Sequence, residues 1–214
     1  MKNKIPDGWL DCPANGEYLV EGKFMALKTP LEKYNAKFPV QARYPPEEIF
    51  KRAAHNKVKI GLWIDLTNTT RYYSKKSVED QNCQYVKLCC EGHGIAPSRR
   101  HVKEFIDIAH NFIVHNPCES IAVHCTHGYN RTGFLIVAFL VEQLGFKVED
   151  AIDRFSKARP PGIYRSAYIK ELFLRYGNVK NLPPPPKQPS WVIRGHKQKC
   201  RKRSVKNLEQ YLVK

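Results

Sequence analysis

The chain has 214 residues, of which 42% are hydrophobic and 26% charged, with a net charge of +16 and a pI near 9.6. That length and balance exclude a disordered or fibrous chain and fit one sizeable core with ragged ends; the positive field selects anionic partners such as nucleic acid, phosphorylated ligands or acidic membrane. No run is long enough to span a bilayer, the start MKNKIPDGWLDCP lacks the apolar stretch of a secretory signal, and the seven cysteines form no CxxC pair. A reducing cytosolic or nuclear compartment is therefore expected.

Residues 1–45 are rich in Pro and Gly, with one short strand at KFMALKTP, and PPEEIFKRAAHN then reads as a helix opened by proline and acidic residues. VKIGLWIDLT (58–67) is the strongest central strand, followed by a polar turn, NTTRYYSKKSVEDQ, and a second strand, CQYVKLCC (83–90). EGHGIAP has the composition of a loop. In SRRHVKEFIDIAHNFIVHN, residues Val102, Phe105, Ile106, Ala109, Phe112 and Ile113 fall on one helical face. SIAVH is a buried strand, the apolar run after Arg131 is a core helix, and VEDAIDRFSKAR and SAYIKELFLRYG are amphipathic helices on either side of PPGIYR. This interleaving predicts an α/β fold, a central mostly parallel sheet flanked by helices. Loops at the carboxyl ends of its strands carry Asp65, Cys90 to Pro97, and Cys125 to Arg131, which are expected to converge on one pocket. At NLPPPPKQPSW the helical pattern stops, giving a domain over 1–182 and a proline-rich, then basic, linker or tail over 183–214.

The turn between SIAVH and the core helix reads HCTHGYNRTG. A loop entering a helix N-terminus turns several backbone N–H groups inward and, with the helix dipole, forms an anion cradle. Thr126, His127, Gly128, Tyr129, Asn130 and Arg131 are assigned to that cradle. Cys125 at the strand end faces the same field, which favours its thiolate. Arg131 is placed to hold two phosphate oxygens with its planar fork, while Thr132 donates to the sulfur and His124 buttresses the loop. Gly128 permits close backbone approach, and Gly133 permits close helix packing. The chemistry implied is in-line attack of Cys125 on phosphorus, a cysteinyl-phosphate intermediate and its hydrolysis, with no metal or other cofactor in the scheme. The competing reading is a buried, inert cysteine in a turn.

The string HCxxxxxRTG resembles the signature of the cysteine-dependent phosphatases. With IDLTNTTRYY, GHG and ARPPGIYRSAYIKELFLRYG, it is similar to the RNA 5'-triphosphatase domain of metazoan mRNA capping enzymes, and somewhat less to stand-alone RNA phosphatases; the likeness covers approximately residues 4–191. The resemblance implies a nuclear enzyme that removes the γ-phosphate from the 5'-triphosphate end of nascent RNA, the first step of mRNA capping, leaving a diphosphate. It also implies a catalytic role for Asp65 and association with transcription machinery; no KxDG lysine motif occurs in these residues, so the two expectations are the amino-terminal portion of a bifunctional enzyme with a guanylyltransferase domain in the same longer chain, or a stand-alone RNA 5'-tri/diphosphatase. For Asp65 the competing reading is a carboxylate that caps the next turn.

Many protein-tyrosine phosphatases use a loop aspartate as general acid, whereas CCEGHGIAPSRR offers only Glu91 or His93. A β-phosphate leaves more easily than an alkoxide, so the missing aspartate favours an anhydride substrate. Arg71, Arg99, Arg100, Arg159 and Arg165 are candidates for gripping the α- and β-phosphates or the RNA backbone, each weighed against a solvated surface arginine. Tyr129 and Tyr164 are candidates to stack on the first nucleotide, weighed against packing. The basic stretch Arg194 to Lys206 reads as a nuclear signal, an RNA-binding arm or a solvated linker. Rival functions are a dual-specificity protein phosphatase, a phosphoinositide phosphatase, for which His127 and Asn130 are not the lysines an inositol headgroup favours, and a phosphate-binding module without turnover. A monomer that binds no membrane is expected.

Overall fold

Four short strands make one parallel sheet, in the order β1, β4, β2, β3, in the computed structural model, which describes residues 5–92 and 94–193. The strands are β1 (Phe24–Leu27), β2 (Ile60–Asp65), β3 (Gln84–Lys87) and β4 (Ser120–His124). β2 and β4, at the centre, are buried along their whole length, as strands covered on both faces must be. Leu62, Ile64, Ile121 and Val123 enter one apolar layer, and Ile60, Trp63 and Ala122 enter the other. Ile60 and Leu62 face opposite layers because the ladder shifts register between them.

Among the described residues six α-helices flank the sheet: α1 (Pro46–His55), α2 (Lys76–Glu79), α3 (Arg99–His115), α4 (Asn130–Leu144), α5 (Val148–Ala158) and α6 (Ser166–Tyr176). The apolar faces of α3 to α6 share the first layer, while α1 and the N-terminal segment, through Trp9, Leu31 and Tyr34, close the second. α4 is buried at every position from Thr132 to Leu140, the condition of a helix that is apolar all round. At Gly133 an added Cβ would lie 2.5 Å from Phe155 and 2.7 Å from Ile163, so glycine is what lets α4 press against its neighbours. α3 starts at a reciprocal cap in which Ser98 Oγ accepts from the His101 N–H and His101 Nδ1 accepts from the Ser98 N–H. No helix among the described residues is long and apolar enough to cross a membrane.

Two segments differ from the sequence expectation. The stretch read as a polar turn, 68–81, contains α2 and buries Tyr72, Tyr73 and Val78. Its average polarity hides three apolar anchors that pack under the loop. Beyond the tetraproline run, and beyond the expected boundary at residue 182, Trp191 is buried against His127, Tyr129 and Tyr164. The basic stretch Arg194 to Lys206, Cys200 and His93 lie outside the described residues.

Candidate active site

The carboxyl ends of β2, β3 and β4 open on one cleft of about 630 Å³, lined among others by Thr67, Arg71, Glu91, Cys125, Asn130, Arg131 and Arg165. Parallel strands put all three following loops at the same edge of the sheet, so residues sixty positions apart become neighbours. β4 ends at His124, the loop 125–129 turns back over the sheet, and α4 begins at Asn130 with no side chain capping its first turn. Those uncapped N–H groups and the dipole behind them are available to an anion. Gly128, at φ +76°, closes the turn against β1: a Cβ there would sit 2.2 Å from the Leu27 carbonyl oxygen.

Cys125 is buried at the base of this cradle. Burial by itself raises its thiol pKa, but the Arg131 guanidinium, the Thr132 hydroxyl and the N–H groups of Thr132 and His127 outweigh it and bring the value down to about 7. The Thr132 hydroxyl is buried with no other hydrogen-bond partner, which leaves it for the sulfur. Arg131 is aimed by three bonds: Nη1 donates to the carbonyls of Leu66 (3.0 Å) and Cys90 (2.9 Å), and Nη2 donates to Thr126 Oγ1 (3.0 Å). Loops from three strands therefore hold one guanidinium, which lines the cleft with donors left over for an anion. Asn130 Oδ1 accepts from the backbone N–H of Tyr164 and Arg165, tying the α5–α6 connection to the start of α4.

His124 does not titrate in the cleft. It is wholly buried, with Nδ1 3.0 Å from the Cys125 carbonyl and Nε2 2.6 Å from the Tyr73 hydroxyl. A carbonyl only accepts, so Nδ1 carries the proton and Nε2 receives the Tyr73 proton. Burial depresses the imidazole pKa more than nearby Asp65 raises it, and the ring is neutral.

Asp65 lies behind the loop and does not line the cleft, so of its two readings the geometry carries the turn cap. Its Oδ1 accepts from the Thr67 N–H (2.8 Å) and hydroxyl (2.7 Å), the turn-capping geometry. Its Oδ2 accepts from Tyr85 (2.9 Å) and Lys87 (2.8 Å), with Tyr73 at 3.1 Å. Burial pushes this carboxyl up; His124, Lys87 and the Thr67 N–H hold it below its ordinary value, and since His124 is neutral the lasting counter-charge is Lys87. Replacing Asp65 by Asn keeps the shape but strips the partly buried Lys87 of its carboxylate. The expected result is a loss of about 3 kcal/mol in a urea melt at neutral pH. The carboxylate's contribution is already gone on acidification through its depressed pKa, so the difference between the two proteins narrows there.

The arginines divide. Arg71 and Arg165 line the cleft, whereas Arg99 and Arg100 sit at the start of α3 and do not. Arg159 is buried away from the cleft, so it does not grip substrate as expected. Tyr129 and Tyr164 reach the cleft wall, but their rings are buried against each other and Trp191, a packing role. His127 donates through Nε2 to the Asp7 carbonyl and packs on Trp191. Burial depresses its pKa to about 4, so it is neutral. Glu91 is exposed at the rim, the one carboxylate among the described residues lining the cleft. Sequence reading missed Tyr73, Tyr85 and Lys87; for Tyr85 and Lys87 the available signal was their alternation within CQYVKLCC, since Lys87 lies in register with Asp65 across the β2–β3 pair, whereas Tyr73 sits in the polar stretch 68–81 and left none.

The profile of the family described as "Dual specificity phosphatase, catalytic domain" matches residues 47–178. The chain belongs to that family. This phosphatase is 46% identical over 192 residues to the mRNA-capping enzyme of Mus musculus, an alignment that covers 89% of the chain and 32% of that protein. It is 34% identical over 175 residues to the RNA/RNP complex-1-interacting phosphatase homolog of Caenorhabditis elegans, covering 79% of the chain and 75% of that protein. The phosphatase thus spans about a third of the length of the capping enzymes it matches. Its backbone matches the crystal structure of Tk-PTP in the active form with a TM-score of 0.57 at 16% identity, over 76% of this chain and 95% of that one, a likeness of fold.

Proposed function

We propose that this phosphatase is an RNA 5'-triphosphatase that removes the γ-phosphate from 5'-triphosphorylated RNA. What supports the reading most is the extent of the likeness to capping enzymes, which runs over 192 residues and so reaches past the phosphatase core at 47–178. Those relatives are named for mRNA capping and for RNA/RNP complexes; an RNA end is the substrate their names suggest here. The cleft agrees with it: Arg71 and Arg165 flank the cradle, and the rim offers an exposed Glu91 in place of a buried aspartic acid.

In this mechanism the Cys125 thiolate attacks the γ-phosphorus in line. The S–P bond forms as the anhydride P–O bond breaks, and the RNA leaves as a 5'-diphosphate whose oxygen needs little protonation. Arg131 and the inward N–H groups hold the equatorial oxygens through the transition state. Water then attacks the cysteinyl phosphate, breaking the S–P bond and releasing inorganic phosphate and the thiolate. The reading carries with it a nuclear location, a guanylyltransferase domain in a longer chain, contact with transcription machinery and a monomeric state.

The test compares phosphate release from γ-labelled triphosphate RNA with release from a phosphotyrosine peptide. RNA is expected to be preferred by at least about a hundredfold in kcat/KM, since the peptide lacks a good leaving group. Strong turnover of the peptide with none of the RNA would establish a dual-specificity protein phosphatase instead, and tight RNA binding without turnover a docking module.

A further inference from the structure

Arg159 reaches the phosphate-binding loop from behind. The side chain is 1% exposed, and its Nη2 donates to the carbonyl oxygens of Pro13 (2.9 Å) and His127 (3.0 Å) while Nη1 donates to that of Asn15. The guanidinium carbon stands 4.3 Å from the centre of the Tyr129 ring. All of these partners are neutral, so the fold keeps a buried positive charge directly behind the cradle. Such a charge is costly to desolvate and is more than carbonyl bonding requires. Nearby, Lys28 is also buried and donates to the carbonyls of Trp9 (3.0 Å) and Cys12 (2.8 Å), so two cations hold the N-terminal segment against the loop.

The acceptor in the loop is the informative one. The His127 carbonyl and the Gly128 N–H belong to a single planar trans peptide and point in opposite directions. A donor that draws the carbonyl to the rear turns the N–H toward the cleft. The preceding peptide shows the same arrangement completed: the Thr29 N–H bonds the Thr126 carbonyl at 3.2 Å, and the His127 N–H at the other end of that peptide donates to the Cys125 sulfur. Gly128 lies against the Leu27 carbonyl, which prevents the loop from flipping outward to relax.

We propose that Arg159 is a positioning residue for the phosphatase reaction: its fork orients the 127–128 peptide so that the Gly128 N–H is held ready for the anion, and its charge adds positive potential behind Cys125. The role follows from the cysteine chemistry of the cradle and is independent of which phosphate is cleaved. Facing the sulfur are Arg131 from α4, the neutral His127 in the loop, and the thiols of Cys12 and Cys90, both raised mainly by burial, Cys12 to about 11 and Cys90 to about 12. Of these, His127, Cys12 and Cys90 are uncharged around the Cys125 midpoint, as are Tyr164 and Tyr168, whose hydroxyls burial pushes up.

The experiment uses the full chain with Arg159→Met and Arg159→Lys, following alkylation of Cys125 by iodoacetamide against pH by mass spectrometry. It is paired with tungstate binding, thermal melting and kcat and KM on triphosphate RNA. In Arg159→Met the alkylation midpoint is expected to rise from about 7, by less than loss of the nearer Arg131 guanidinium would raise it. Tungstate affinity should fall roughly tenfold and kcat by more than KM changes. Arg159→Lys, with the charge but not the fork, should restore the midpoint and leave kcat roughly tenfold low. A folded Arg159→Met with a lower melting temperature but unaltered midpoint and tungstate affinity would reduce Arg159 to a structural strut and overturn the proposal. Should Arg159→Met not fold, Arg159→Lys decides: full kcat there overturns the orienting role. Alkylation and tungstate need no RNA, so a protein that fails to hydrolyse triphosphate RNA but shows both shifts retains this role while losing the RNA reading.

Discussion

Replacing Cys125 by serine is expected to lower turnover by on the order of 10⁴-fold or more, because the nucleophile is lost while the rest of the site stands. At neutral pH the wild-type thiol, at about 7, is substantially ionised. A serine hydroxyl in the same buried position has no adjacent base strong enough to take its proton: burial holds His127 down to about 4, and His124 is turned away, with Nε2 on Tyr73 and Nδ1 on the Cys125 carbonyl. The inward N–H groups and Arg131 are unchanged in the variant, so it should still bind tungstate and the triphosphate RNA end. Single-turnover assays and equilibrium binding on one preparation separate the two effects. Retained turnover in Cys125→Ser would remove the covalent mechanism.

Arg131→Lys is expected to cost on the order of 10²- to 10³-fold in kcat, although the charge is formally kept. The guanidinium spends three donors on the Leu66 and Cys90 carbonyls and the Thr126 hydroxyl, and it is this anchoring that aims the others. An ammonium cannot bond two strand-end carbonyls and still present a planar pair to two phosphate oxygens. Arg131→Met should cost more and also raise the Cys125 pKa, since the guanidinium is the strongest of the influences that lower it. The acidic limb of the rate profile would then move to higher pH, with turnover recovering only where the thiolate forms. A limb that stays in place in Arg131→Met would show that the helix end alone sets the thiolate.

Much of the fold was legible because its elements are locally decided. β2, β4 and α4 are apolar runs of strand and helix length, and the proline and acidic residues at α1 mark a helix start in the chain itself. Tyr72, Tyr73 and Val78 were illegible for the opposite reason, since in a stretch of mixed polarity only the neighbouring strand and loop decide which side chains turn inward. Arg159 was misplaced because one arginine in a sequence reads the same whether it meets solvent or three carbonyls.

The sequence alone located the candidate site: a cysteine, five intervening residues and an arginine between a strand and a helix place thiol, cradle and fork within one turn, where distances follow from backbone geometry alone. Tertiary structure alone decided what holds that turn in shape. Asp65 acts from behind through Thr67, Tyr85 and Lys87, and Arg159, Thr29 and Trp191 press on the loop from segments thirty to a hundred residues away. The reason is physical: a hydrogen bond or ring contact between distant segments exists only after the sheet has ordered its strands, and no local spacing encodes it.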